Sequence, residues 1–305
     1  MQHEPRKWTG RRILRVLLVL AVVSVLLWLG TSYGVAYRLT RRPCPRHDEP
    51  VPDLTWAKVE SFRLATEDGE ELGAWFLPGR PDQPLVVLLP GNGCDRSSGL
   101  GQAESLVGDG RSVLLLSLRA HGDSTGEVND FGFSARHDVT AAVAWAESNH
   151  PRWPIVVWGR SLGSAAALFA AGGLGRRVSA YVLECPYRDL RTAVRNRVRL
   201  RLPPLADDVA YLGLMTAAPL VLADVDRISP LQAAGEVPEG TPVLILAGGK
   251  DRRARPEEAE AIRERIGAGA ELVVIEDGDH LELEGADPER VRAAIRRLIA
   301  RCAHD

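Results

Sequence analysis

The sequence predicts an α/β fold, a doubly wound and mostly parallel sheet preceded by one apolar N-terminal helix. Three observations carry this. Short apolar runs of the kind buried on both faces, Leu85 to Leu89 and Val113 to Ser117 among them, alternate with helical stretches from about Lys58 onward. In Pro154 to Ala170 a β-branched strand, a glycine-flanked turn and an alanine-rich helix follow one another directly. Before all of this stands an uncharged run of 22 residues, Val16 to Tyr37.

Composition narrows the function classes. The chain has 305 residues, 26% of them charged, and a net charge of −2, which gives no hint of a nucleic-acid partner. All but three of its 38 Lys and Arg residues are Arg, a bias read as genomic background. The cysteines Cys44, Cys94, Cys185 and Cys302 are scattered, without C-x-x-C or metal spacing, so neither a zinc site nor a disulfide framework is indicated.

Taken in order, residues 1–15 are basic, with Arg6, Lys7, Arg11, Arg12 and Arg15. Residues 16–37 are long enough to span a bilayer and end in Trp28, Tyr33 and Tyr37, where an aromatic belt belongs, so the reading is an uncleaved transmembrane signal anchor. A cleaved secretory signal competes, with Gly30-Thr31-Ser32 and Gly34-Val35-Ala36 as loose cleavage matches, and so does a buried helix of a soluble fold. Positive charge also follows the span, at Arg38, Arg41, Arg42 and Arg46. The excess before it favours an N-terminus inside and a domain outside the cytoplasm. Residues 38–57, with Pro43, Pro45, Pro50 and Pro52, read as an extended linker that lifts the domain, residues 58–305, off the membrane.

Within the domain, Val59 to Ala65 and Leu72 to Leu77 form a predicted hairpin around Asp68-Gly69. Leu100 to Val107 and Ala135 to Ser148 are helices, the second ending before Pro151. Strands follow at Ile155 to Val157, Ala180 to Glu184, Val243 to Ala247 and Leu272 to Ile275, and a helix from Pro288 to Arg301 turns Val291, Ile295, Leu298 and Ile299 inward. Residues 186–241 break the rhythm. They are too long for one crossover helix and hold Pro203-Pro204, Pro219 and Pro230, so extra helices forming a small lid are expected. There Arg188, Arg191, Arg195 and Arg199 recur at helical spacing; the bland reading is a solvated basic face, the sharper one contact with anionic headgroups or substrate.

The chemistry centres on Gly159-Arg160-Ser161-Leu162-Gly163. A strand-to-helix turn of this kind exposes a serine hydroxyl, and the two glycines remove side chains that would collide; a plain glycine-rich turn is the alternative. Serine needs a base, and the base a carboxylate to orient it. After Ser161 only His280 and His304 remain as bases, and His280 follows the last predicted strand. Asp251, just past Val243 to Ala247, is the expected acid, with Glu184 the main rival, Asp224 and Asp226 lesser ones, and a helix cap the competing role. Asp277 and Asp279 read as turn residues. The oxyanion would be held by the backbone N–H of Leu162 and that of Asn92, with Gly93 second, in the turn Pro90-Gly91-Asn92-Gly93-Cys94. That turn lacks the Gly-Lys-Ser/Thr of a nucleotide-binding loop, and Cys94 reads as a turn residue. The loop Arg119 to Glu127 offers His121 and Ser124 without an elbow around them, so it is expected to shape the pocket floor.

The motifs P-G-N-G at Pro90 to Gly93, R-A-H-G-D-S-T-G at Arg119 to Gly126, G-R-S-L-G at Gly159 to Gly163, and G-G-K-D with D-G-D-H at Gly248 to Asp251 and Asp277 to His280 occur in this order. Over about residues 55–301 the chain resembles the α/β-hydrolase superfamily, and within it the membrane-anchored serine hydrolases of the BEM46-like (ABHD13/ABHD17-like) type. The resemblance implies the triad Ser161, Asp251 and His280, hydrolysis of a carboxylic ester, thioester or amide on a small-molecule or lipid-like acyl substrate, and no metal or organic cofactor. One departure is Pro90, where these relatives usually carry histidine. A non-catalytic binding or scaffolding domain at the cell envelope and a serine peptidase of the same fold are the alternative expectations.

Overall fold

The computed structural model describes residues 10–81, 83–280 and 282–302. Arg6, Lys7 and the alternative base His304 lie outside the described residues. The apolar run folds as α1 (Gly10–Leu39), longer at both ends than the uncharged stretch because arginine and leucine are good helix formers whatever surrounds them. Its mid-section is long and apolar enough to cross a membrane and is not covered by the rest of the chain. Thr40 ends it, the hydroxyl donating to the carbonyls of Ala36 and Tyr37.

The body follows as β1 (Glu60–Ala65), β2 (Glu71–Leu77), β3 (Leu85–Leu89), α2 (Leu100–Gly108), β4 (Ser112–Leu116), α3 (Arg136–Asn149), β5 (Ile155–Arg160), α4 (Leu162–Leu174) and β6 (Ala180–Glu184). Then come α5 (Leu190–Arg199), α6 (Ala206–Val221), α7 (Pro230–Ala234), β7 (Val243–Gly248), α8 (Pro256–Ile266), β8 (Ala270–Ile275), α9 (Leu283–Ala286) and α10 (Pro288–Cys302). The eight strands form one sheet in the order β1-β2-β4-β3-β5-β6-β7-β8. Only the β1–β2 and β2–β4 pairs are antiparallel, as the hairpin at the start of a doubly wound sheet requires. Every residue of β3, β4, β6 and β7 is buried, which is why those strands read as continuous apolar runs.

Two layers cover the sheet. The helices α3, α4, α7 and α8 pack on one face, around residues such as Val139, Val143, Leu168 and Ile262. On the other, α2 and α10 bury Leu106, Val291, Ile295, Leu298 and Ile299. Each such side chain contributes about 1.5–3 kcal/mol when fully buried. Successive strands leave β3 in opposite directions, β4 to one side and β5 to the other, so the loops after β3 and β5 flank a crevice at the C-terminal edge of the sheet.

Two expectations are corrected. Of the interval 186–241, only α5 and α6 stand over that crevice, around a small third core with Tyr187, Leu190, Ala193, Ala218 and Leu222. Helix α7 instead packs on α4 and α8 and belongs to the body. The proline-rich linker is no free spacer. Arg42 donates to the carbonyls of Gly122 (3.2 Å), Ser124 (2.6 Å) and Gly126 (2.8 Å), and the Glu49 carboxylate accepts from the Asp123 N–H and the Ser117 hydroxyl, both at 2.8 Å, and from Arg96 at 3.1 Å. Prolines remove N–H donors but leave intervening side chains to bond, and the tight 119–127 loop offers outward carbonyls to receive them. Helix α1 is tied in as well: the Trp28 indole N–H donates to the Val209 carbonyl of α6 at 3.2 Å.

Candidate active site

Ser161 joins β5 to α4 with φ 51 and ψ −104, a conformation that costs a non-glycine residue strain and is held here by its surroundings. Its N–H donates to the Glu184 carbonyl at 2.7 Å, and the Ser164 hydroxyl donates to the carbonyls of Gly159 (2.6 Å) and Glu184 (2.8 Å), locking the turn from below. The flanking glycines are required by contact: a Cβ on Gly159 would lie 2.3 Å from the Gly163 backbone, and one on Gly163 would lie 2.5 Å from the Leu89 carbonyl oxygen.

The loops after β7 and β8 bring the two other predicted residues to it. Ser161 Oγ and His280 Nε2 are 2.9 Å apart, and His280 Nδ1 is 2.7 Å from Asp251 Oδ2; all three residues are buried. The loops are themselves pinned, the Lys250 N–H donating to the Gly278 carbonyl and the Gly249 N–H to that of Ile275. The other Asp251 oxygen accepts from the N–H groups of Arg253 (2.7 Å) and Ala254 (3.0 Å). Burial raises the Asp251 carboxyl, but the hydrogen bond and charge of His280 and those two N–H groups outweigh it, so it sits below the usual carboxylate range.

The rival acids are engaged elsewhere. Glu184 accepts from the Trp158 indole (2.8 Å) and from Arg160 (2.9 Å), supporting the elbow from beneath. Asp224 pairs with Arg227, Asp226 with Arg191, and Asp277 with Lys250.

Asn92 and Leu162 share a small pocket with Ser161, lined also by Phe131, Tyr187, Leu190 and Arg197. Leu162 is the first residue of α4, so its N–H has no intrahelical acceptor and faces the positive end of the helix dipole. The Asn92 side chain fixes the turn after β3: its Oδ1 accepts from Asn129 Nδ2 at 2.6 Å and lies 3.3 Å from His121 Nε2. His121 is buried, which holds its imidazole below the ordinary value, and Ser124 Oγ donates to the Ser117 carbonyl while accepting from the Gly73 N–H. His121 thus supports the turn that carries Asn92, and Ser124 ties its own loop to β2 and to the end of β4.

Sequence reading missed Asn129, Ser164, Trp158, Tyr187, Cys185 and Arg197, residues that no motif marks and that only the fold assembles. Cys185, at φ 46, follows β6 beside Asp251 and His280. With Asp251 and His280 it forms a group of metal-ligand types within 4.8 Å of one another. The Asp251 and His280 atoms are committed to each other and to Ser161, and burial together with the Asp251 and Glu184 carboxylates pushes the thiol well above its ordinary value. The basic face of α5 is neutralised, Arg188 pairing with Asp189, Arg191 with Asp226, Arg195 with Asp208 and Arg199 with Asp207, in keeping with the bland reading.

A doubly wound sheet whose strained serine elbow faces a buried histidine and carboxylate defines the α/β-hydrolase class. The alpha/beta hydrolase fold model matches residues 84–206. An uncharacterised protein of Mycobacterium tuberculosis is 28% identical over 292 residues, 94% of each chain. Human protein ABHD12B is 29% identical over 179 residues, 51% of this chain and 49% of its own, and an uncharacterised membrane protein of Saccharomyces cerevisiae is 25% identical over 154 residues, 49% of this chain and 53% of its own. The solved structure of a Pyrococcus furiosus esterase superposes with a TM-score of 0.69 at 22% identity, covering 85% of this chain and 98% of that one. The chain has the α/β-hydrolase fold.

Proposed function

We propose that this hydrolase is a membrane-anchored serine hydrolase of BEM46-like type that cleaves a carboxylic ester, thioester or amide through an acyl-enzyme. One observation carries the reading, the continuous contact Ser161 Oγ–His280 Nε2 and His280 Nδ1–Asp251 Oδ2 on a strained elbow. His280 takes the Ser161 proton as Oγ attacks the substrate carbonyl, and the oxyanion that forms is held by the N–H groups of Asn92 and Leu162. The leaving group departs with the proton from His280 Nε2, leaving Ser161 acylated. Water then repeats the sequence and releases the acid. Asp251 keeps His280 in the tautomer that presents a bare Nε2 to Ser161. Helix α1 anchors the chain, and the charge excess before it favours a catalytic domain outside the cytoplasm.

The test is turnover of p-nitrophenyl butyrate by the full chain in detergent. Ser161→Ala should lower kcat by at least about a thousandfold with an unchanged melting temperature. Turnover that survives in the variant contradicts the assignment.

A further inference from the structure

Helix α5 carries five arginines over its length and N-terminal approach, and four of them are ion-paired, as described above. Arg197 is the exception. It shares one face of α5 with Leu190, Ala193 and Val194, that face lines the pocket holding Ser161, and its guanidinium donates only to the Ala193 carbonyl of its own helix, with no carboxylate in ion-pair range among the described residues. Burial holds this guanidinium below its ordinary value, the charges of Asp251 and Glu258 beyond ion-pair range offsetting only part of the cost, and its planar donors suit a carboxylate or a phosphate. We propose that Arg197 selects substrates bearing an anionic oxygen group, carboxylate or phosphodiester, beside the scissile acyl bond. This rests on the serine-hydrolase reading.

The test compares mono-p-nitrophenyl glutarate and lysophosphatidylglycerol with the neutral p-nitrophenyl butyrate. Arg197→Gln should lower the anionic-to-neutral ratio of kcat/KM by about tenfold, chiefly through KM, and Arg197→Lys should restore part of it. A fall confined to the glutarate ester assigns a carboxylate, and one confined to the lysophospholipid a phosphodiester. An unchanged ratio overturns the proposal. Calorimetric binding of glutarate and glycerol phosphate to Ser161→Ala, with and without Arg197→Gln, reads anion recognition without turnover, so its failure is separable from failure of the hydrolase reading.

A second observation stands independently. Trp28 contacts Val209, and a Cβ on Gly213 would lie 2.2 Å from Ser32 Oγ, so α1 and α6 run parallel at a constant offset of 181 residues. The same offset aligns Ala36 with Ala217, both buried. It also sets Leu205, at the start of α6, level with Ser24, one helical turn or about 6 Å below Trp28, where the aromatic belt of α1 begins. No charged residue occurs from Val209 to Ala223, and Leu205, Val209, Leu212 and Leu220, on one face of α6, are 78%, 55%, 60% and 71% exposed. Of the charges at this tip, Arg195 pairs with Asp208 and Arg199 with Asp207, while Arg201 has no ion pair among the described residues and suits an anionic headgroup. We infer that the α5–α6 tip and the outer face of α6 are a second membrane contact, buried in the headgroup and acyl boundary of the leaflet from which α1 emerges. This inference rests on α1 being a membrane anchor.

The test reconstitutes the full chain, with the exposed Cys44 and Cys94 replaced by serine, in phosphatidylcholine and phosphatidylglycerol vesicles. An environment-sensitive fluorophore is placed at Leu20→Cys, Leu205→Cys, Val209→Cys or, on α10 at the sheet face away from α3 and α4, Arg290→Cys. Acyl-chain nitroxide lipids should quench the probes at 20, 205 and 209, and leave the probe at 290 bright. Quenching at 20 but not at 205 and 209 overturns the tip contact alone. Loss of quenching at 20 as well removes the anchor beneath it. Energy transfer between chains at 205 without lipid quenching assigns the face to a second copy and also overturns the proposal.

Discussion

At the scale of single residues, the site depends on few atoms, each with a separable job. The two candidate acids, Asp251 and Glu184, differ by what they touch: one meets His280, the other meets Trp158 and Arg160. Asp251→Asn should therefore lower kcat by about ten-thousandfold by disturbing the His280 tautomer, with little change in unfolding free energy. Glu184→Gln should instead lower the unfolding free energy by about 1–3 kcal/mol, because a charged acceptor for the buried Trp158 indole and the part-buried Arg160 guanidinium is lost. Esterase kinetics and chemical denaturation of the two variants separate the roles. Ser161, Asp251 and His280 were legible in the sequence because each follows a recognisable strand, and strand ends converge at the C-terminal edge of a parallel sheet. Asn129 and Arg197 were not, because a loop and a lid helix bring them in across distances no local pattern encodes.

At the scale of elements, strands were the most legible, because burial on both faces imposes continuous apolar runs: β3 and β6 match the predicted limits residue for residue. The extra residues of β5 and β8 lie at their ends, where pairing with a neighbouring strand, which the sequence cannot display, decides the boundary. The linker was misread because its prolines speak of extension, while its docking depends on Arg42 and Glu49 meeting partners in the 117–126 segment. Arg42→Ala removes donors to three carbonyls and should cost about 1–3 kcal/mol, measured as a lower denaturation midpoint of the full chain in detergent. The elbow allows a harsher test: Gly163→Val meets the Leu89 carbonyl, so the β5–α4 turn cannot form as it stands, and both soluble yield and turnover should collapse.

For the whole molecule, charge ties the layers together and sets its response to acid. Asp68 is held below the carboxylate range chiefly by its hydrogen bonds to Arg119, and Asp123 and Asp251 are held there by Arg96 and His280 respectively, against the opposing effect of burial. A carboxyl depressed on folding stabilises fully above its unfolded pKa of about 4, and that contribution is lost as pH falls toward the folded value. Glu49, raised chiefly by burial, has the opposite sign, so its contribution fades as pH rises. Asp138, pushed up to about 6 by burial, shares the sign of Glu49, but Asp95 and Asp109 are held low with Asp68, Asp123 and Asp251, and five such groups against two predict a lower urea midpoint at pH 3 than at pH 6. An equal or higher midpoint at pH 3 contradicts this balance. The central claim is that this fold activates Ser161, and covalent labelling tests it most directly. A fluorophosphonate probe applied to the membrane-bound full chain should attach once, on the peptide containing Ser161, and fail on a folded His280→Gln variant. A folded native chain that stays unlabelled, or is labelled on another serine, would contradict the account.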